Sequence, residues 1–450
     1  MDKDPRYIAF LVLLYWHKAD HTLDRALETH SDTINNLSKK DKSLCNALIF
    51  GVLRHRESID WIIKAFSNTA IEKIKPKPLY LLRLALYQIL HLDRVPVFAA
   101  INTAVEIGKQ KCGQQTAGFI NAVLRKAVKG HATVPIPNKD SLPAQFISVQ
   151  YSLPLWLAKK WVHSFGLKQT ESLCIQINTI PMITLRTNSL KIDRLNLAGH
   201  LCNQVQNIIP TDYAKQGLRF TNPKIAIPEM EPFKQGWFQI QDEAAQMVTE
   251  FLNPKPFETI LDACAGLGGK TGHIAQLMEN TGTLIALDIQ PDKLKLLNNE
   301  AQRLGFTNIQ TKACDLIKTS IKDFDNFFDR VLVDAPCTGL GVLQRNPDTK
   351  WKRSQHDITR LSGRQKKILN AAANLVKPGG ILVYAVCSCE PEENEQVIDT
   401  FLNKRKDFSI AKDAESDNYS IFMTSDGFLK TYPETNNMDG FFAARLTRKS

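Results

Sequence analysis

No apolar stretch in these 450 residues is long enough to cross a bilayer as a helix. The longest, Tyr7–Trp16, follows Lys3 and Arg6 as the core of an export signal would. Yet His17-Lys18-Ala19-Asp20-His21 offers no small-residue cleavage site behind it, so a buried first helix is expected and no membrane integration. Paired C-x-x-C spacing is missing as well. The nine cysteines (45, 112, 174, 202, 264, 314, 337, 387 and 389) are odd in number and scattered. That pattern excludes a recognisable zinc site and a disulfide framework, no metal is expected, and a reducing, cytoplasmic compartment fits best. Repeats and low-complexity tracts are absent too. Acidic residues fall short of basic ones, 46 against 57, for a formal net charge of +11. Such an excess suits a polyanionic partner, although a basic enzyme without one would show the same balance.

The chain is too long for one compact domain, and its apolar periodicity changes twice. Residues 1–135 read as helical throughout, with apolar positions at helical spacing in Leu44, Leu48, Ile49, Val52 and Leu53 and in Ile59, Ile62, Ile63 and Phe66. A helical bundle follows from this. Val134-Pro135-Ile136-Pro137-Asn138 reads as a linker, and residues 145–234 as a small α/β subdomain with a strand at Thr184–Asn188. From 235 to 450 strands alternate with helices, the pattern of a doubly wound parallel sheet; strands are predicted at 258–263, 283–289, 308–313, 330–334, 380–386 and 441–446.

The first of these strands runs into Cys264-Ala265-Gly266-Leu267-Gly268-Gly269-Lys270 and then a helix. Glycines allow close backbone approach to a ligand, and a helix start presents free N–H groups. Asp288 and Asp315 close the next two strands, where a doubly wound sheet sets carboxylates for ribose hydroxyls and an adenine amino group. Together they predict a nucleoside-cofactor site at 264–270, Asp288 and Asp315. Two rivals fit less well. A P-loop needs glycine where Cys264 stands, and a dinucleotide loop needs a third glycine where Thr271 stands.

Asp334-Ala335-Pro336-Cys337 follows one strand and Val386-Cys387 another. A free cysteine is usually a small buried hydrophobe. Two thiols at the carboxyl ends of strands that pair would instead share one crevice with Asp334, about 4.8 Å apart strand to strand. A thiolate that adds to carbon 6 of cytosine makes carbon 5 nucleophilic, which the unmodified ring is not. Spacing does not choose between Cys337 and Cys387 for this task.

At these residues the chain resembles the RNA cytosine-5 methyltransferases, and within them the bacterial Sun/Fmu type acting on 16S rRNA. Gly236–Asp242, Cys264–Lys270, Arg345–Trp351, Pro391–Glu395 and Asp439–Phe442 carry the likeness over nearly the whole chain. Asp41-Lys42, Gly51–Arg54 and Gly118–Arg125 resemble the RNA-binding factor NusB. The resemblance implies a NusB-like all-α bundle, a small α/β subdomain and a Rossmann-like domain that binds S-adenosylmethionine. It implies Cys387 as nucleophile, Cys337 assisting product release, and Asp334 at the cytosine and cofactor. Naked 16S rRNA or an early small-subunit precursor is the implied partner of a monomeric enzyme; tRNA, another rRNA site, or a non-catalytic role in ribosome assembly are the alternatives. Arg54, Arg125, Lys126 and Lys350 are the candidate RNA contacts. Two departures stand out: Gly266-Leu267 replaces the family's Ala-Pro, and Val386 its threonine before the nucleophile.

Overall fold

The computed structural model describes residues 3–18, 21–319, 324, 327–411 and 417–450; Ala19 and Asp20, behind the signal-like helix, lie outside them. The chain divides into two compact units, Met1–Thr179 with Arg345–Ser354, and Ile180–Gln344 with Gln355–Ser450. No helix among the described residues is long and apolar enough to cross a membrane.

The first unit is helical. Its opening helix, Pro5–His17, starts where the Asp4 side chain accepts the Arg6 N–H at 2.8 Å and Pro5 presets φ. Ile8, Val12, Leu13 and Trp16 on it are buried against Leu48, Ile49 and Val52 of the helix Lys39–Arg54 and against Tyr80 and Leu84 of the helix Pro76–His91. The unit does not stop at the proline-rich stretch near 135. Helix Arg56–Phe66 packs on Pro143–Gln150, Trp61 Nε1 donates to Pro135 O at 3.1 Å, and Glu57 N donates to Ser152 Oγ at 2.8 Å. The helices Leu155–Phe165 and Leu167–Ile177, which fall within the stretch 145–234, group by compactness with the helical unit.

The second unit holds two sheets. The small one is antiparallel, ordered β2-β3-β1-β4, from β1 (Ile183–Thr187), β2 (Gln206–Pro210), β3 (Gly217–Thr221) and β4 (Phe238–Ile240). Leu185, Leu218, Phe220 and Phe238 form its core with Leu197 and Leu201 of the helix Arg194–Leu201. The large sheet comprises β5 (Thr259–Asp262), β6 (Thr283–Asp288), β7 (Ile309–Ala313), β8 (Phe328–Asp334), β9 (Val376–Val386), β10 (Phe408–Ile410), β11 (Phe428–Lys430) and β12 (Phe442–Arg448). Its order is β10-β12-β9-β8-β5-β6-β7, with β11 beside β12. Strands β5 to β9 run parallel and β12 is antiparallel to β9. The order reverses between β5 and β8, which opens a crevice at their carboxyl ends.

Candidate active site

Five strand ends converge on that crevice. A cleft of 240 Å³ is lined by Ala263, Cys264, Gly266, Asp288, Asp315 and Asp334 among others. Asp288 holds the loop in place: its Oδ2 accepts the Gly266 N–H at 3.0 Å and its Oδ1 the Gln290 N–H at 2.8 Å. Each oxygen keeps a second lone pair for a ligand hydroxyl. Helix Gly269–Leu277 begins at the loop's end, and a Cβ on Gly266 or Gly269 would meet nothing within 4 Å, so the backbone lies open to a ligand. Acceptors on three successive strands facing an open N–H-bearing loop suit a nucleoside and its charged tail.

Gly266 takes φ +55 and Gly268 φ +86. Proline at 267 would push residue 266 toward extended backbone, so Leu267 and Gly266 depart from the family as a pair. With the proline gone, residue 266 is free to turn left-handed, and glycine does so without strain. Leu267 itself is exposed and Cys264 is half-buried, with burial first among the causes that push its thiol up. Asp262, on the strand before the loop, accepts the Thr271 hydroxyl at 2.7 Å; burial pushes its carboxyl up to about 6.

Lys270 points away from the loop. Its ammonium reaches Asp334 Oδ2 at 2.7 Å and lies 4.8 Å from the Phe441 ring centroid. Burial opposes its charge, but Asp334 outweighs that and holds the pKa above the ordinary lysine value. The Asp-Gly-Phe-Phe stretch thereby gains a role, and so does its glycine. Gly440 N donates to Gly341 O at 2.8 Å, and a Cβ at Gly341 would stand 2.0 Å from Gly440 O.

Strands β8 and β9 pair in parallel, as the crevice requires, and Cys337 Sγ lies 3.2 Å from Cys387 Sγ. Both residues are half-buried. The hydrogen bond to Cys387, followed by burial, raises Cys337 well above the usual thiol range. The two sulfurs share one hydrogen bond in which either can be the donor. Cys389 is buried, and its burial likewise pushes it up.

Behind the loop stands a residue the sequence did not mark. Arg186 on β1 is buried and donates from Nη1 to Gly269 O at 3.0 Å, from Nη2 to Gln239 at 2.9 Å, from Nε to Gln276 at 3.1 Å, and from Nη1 to Gln241. Burial pushes its guanidinium down to about 9. Two of these glutamines belong to the Gly236–Asp242 stretch, whose Asp242 caps the helix Glu243–Leu252. No periodicity announces a buried arginine; only its neighbourhood in space does.

The candidate RNA contacts separate. Arg125 and Lys126 are exposed on the helix Gln114–Gly130. Lys350 and Arg54 are corrected: they are 1% and 6% exposed. The Lys350 ammonium donates to Arg54 O at 2.8 Å, at the carboxyl end of the helix Lys39–Arg54, and to Ser152 O at 2.7 Å. Trp351 Nε1 donates to Leu53 O at 2.5 Å beside it. A lysine that is buried on these carbonyls, one of them at a helix carboxyl end where its charge complements the helix dipole, is out of reach of a phosphate. Arg54 is buried at the same helix end, where a polyanion has no access to it.

Family models match the chain in three consecutive stretches: the NusB family at 3–129, the ferredoxin-like domain of RsmF/B-like methyltransferases at 153–226, and the 16S rRNA methyltransferase RsmB/F at 249–447. The probable ribosomal RNA small subunit methyltransferase B of Synechocystis sp. is 37% identical, covering 98% of this chain and 99% of that one. Its counterpart from Bacillus subtilis is 37% identical over 92% of each chain. The crystal structure of PH0851 superposes with a TM-score of 0.83 at 25% identity, covering 99% of this chain and 98% of that one. A NusB-type helical domain, a small sheet and a mixed parallel sheet with this crevice thus occur together along one chain, which belongs to the ribosomal RNA small subunit methyltransferase B family.

Proposed function

We propose that this protein methylates carbon 5 of a cytosine in 16S rRNA, with Cys387 as a covalent nucleophile. The observation that carries the reading is the 3.2 Å thiol pair beside the Lys270–Asp334 ion pair, at the rim of a nucleoside-sized cleft. Residues 264–270, Asp288 and Asp315 would hold S-adenosylmethionine, which supplies the electrophilic methyl group. Asp334, anchored by Lys270, engages the polar edge of the cytosine and helps the ring accept electrons. Cys387 sulfur bonds to carbon 6, and the electron pair displaced from the 5,6 double bond makes carbon 5 nucleophilic. After methylation the carbon 5 proton passes to a base, the double bond reforms, and the Cys387 thiolate leaves. Cys337 assists that elimination. The base must be unstacked to enter, which favours naked rRNA or an early precursor over a finished subunit. A monomer acting in the cytoplasm fits this reading.

The test is an adduct assay on 16S rRNA. Cys337→Ala accumulates an RNA–protein crosslink and Cys387→Ala does not, while Cys387→Ser loses at least about a thousandfold in turnover. The opposite crosslinking pattern would reverse the two roles. A serine variant at parental speed would end the covalent reading altogether. Bisulfite mapping of rRNA from cells lacking the protein identifies the nucleotide; a full complement of 5-methylcytosine there, with loss in tRNA, would move the substrate.

A further inference from the structure

The strands that carry the two cysteines stop pairing before the thiols are reached. Asp334 lies opposite Ala385, and the Ala335 N–H bonds Ala385 O at 2.9 Å. Cys337 and Cys387 each follow two residues beyond that rung, on loops free to diverge. Gly341 N to Cys387 O, at 3.1 Å, is one tie across the gap. Glu393 supplies another, at the residues next to the thiols. Its carboxylate is fully buried and accepts the Thr338 N–H at 2.9 Å, the Thr338 hydroxyl, the Ser388 hydroxyl at 2.6 Å and Gln365 Nε2 at 2.9 Å. Thr338 follows Cys337 and Ser388 follows Cys387. Gln365 Nε2 also donates to Pro336 O at 3.1 Å, so Cys337 is held on both sides. Tyr384 on β9 donates to the Glu393 carbonyl at 2.6 Å and fixes the residue's own backbone.

Four donors converging on two oxygens call for an acceptor-only carboxylate. The reaction steps above make no use of this charge.

We propose that Glu393 is a positioning residue for the thiol pair: one buried carboxylate ties the loop after β8 to the loop after β9 and sets the separation and rotation of Cys337 and Cys387. This rests on the cysteine roles proposed above. Its negative charge also adds to the bond with Cys387 and to burial in keeping the Cys337 thiol protonated. The residue that spaces the two sulfurs thereby supports their division of labour.

The experiment uses the full chain with S-adenosylmethionine and 16S rRNA transcribed with 5-fluorocytidine, whose carbon 5 fluorine blocks elimination and traps the methylated adduct on Cys387. Glu393→Gln keeps the volume but faces a donor with an NH2 group. Its rate of adduct formation falls at least about tenfold, as expected when a reacting group is displaced by a fraction of an ångström to one ångström. Affinity for S-adenosylhomocysteine stays within about twofold, because the carboxylate touches nothing in the cofactor cleft; a loss confined to the chemical step is what separates positioning from general support. Ser388→Ala removes a single donor and shows a smaller loss of the same kind. A parental rate in Ser388→Ala overturns the proposal whether or not the glutamine variant folds, and so does a cofactor affinity that falls in step with the rate. If the unaltered protein traps no adduct, the covalent reading itself fails and not merely the part given to Glu393.

Discussion

Replacing Arg186 by lysine tests how the small sheet supports the cofactor loop. Lysine keeps the positive charge, although its more strongly hydrated ammonium costs more to bury than the guanidinium. The hydrogen bonding changes as well, since the guanidinium serves Gly269 O, Gln239, Gln241 and Gln276 from three nitrogens in a rigid plane. An ammonium is a single point on a shorter head and cannot reach acceptors spread around that plane. If two of the four are orphaned, at about 1–3 kcal/mol each, the unit loses about 2–6 kcal/mol. For a domain of this size each kcal/mol is worth about 2–4 °C, so Tm falls by roughly 4–24 °C. Gly269 starts the helix whose N–H groups face the cleft, so releasing its carbonyl also weakens binding of S-adenosylhomocysteine. Thermal unfolding and a ligand titration on the same preparation measure both effects. An Arg186→Lys protein with unaltered Tm and affinity would refute the idea that this guanidinium braces the loop.

Two further expectations concern the loop's surroundings. Gly266→Ala forces a side chain onto φ +55, a cost of about 1 kcal/mol, and weakens S-adenosylhomocysteine binding about fivefold by titration. Adding Leu267→Pro to that variant restores affinity, since proline makes extended backbone the preferred state at 266; a single variant of unchanged affinity would contradict the paired reading. Asp262, raised by burial to about 6 from 3.8, binds its proton more tightly in the folded state. Its contribution to stability is therefore full below pH 3.8 and lost as pH rises to 6, a difference of about 3 kcal/mol at most. Asp262→Asn removes that slope from Tm measured between pH 4 and 6.5; an identical slope in both proteins would place the titration elsewhere.

Much of the large sheet was legible because its strands are short apolar runs between turn residues. The predicted 258–263, 283–289 and 308–313 became Thr259–Asp262, Thr283–Asp288 and Ile309–Ala313. The small sheet was legible only in β1, where the predicted Thr184–Asn188 became Ile183–Thr187; β2, Gln206–Pro210, is mostly exposed and shows no alternation to read. Its last strand, β4, lies beyond the expected boundary at 234 because pairing with β1 outweighs sequence proximity to β5. Asp334, Cys337 and Cys387 were legible because strand ends in a parallel sheet meet at one rim. Lys350, Arg186 and Glu393 were not, for one reason. A charged side chain reads as solvated until three-dimensional contacts supply its partners, and Lys350 finds Arg54 and Ser152 far away in sequence.

The seat of Lys350 and Trp351 also bears on the order of synthesis. A ribosome finishes Met1–Thr179 first, then makes all of Ile180–Gln344 before it reaches the ten residues that complete the helical unit. Until they emerge, the carbonyls of Leu53, Arg54 and Ser152 must find other partners or water. The nascent helices are thus held one step short of their final form while the catalytic sheet is still being assembled. A bundle expressed alone from the first 179 residues would carry that vacancy permanently, and its folding would report on a different molecule.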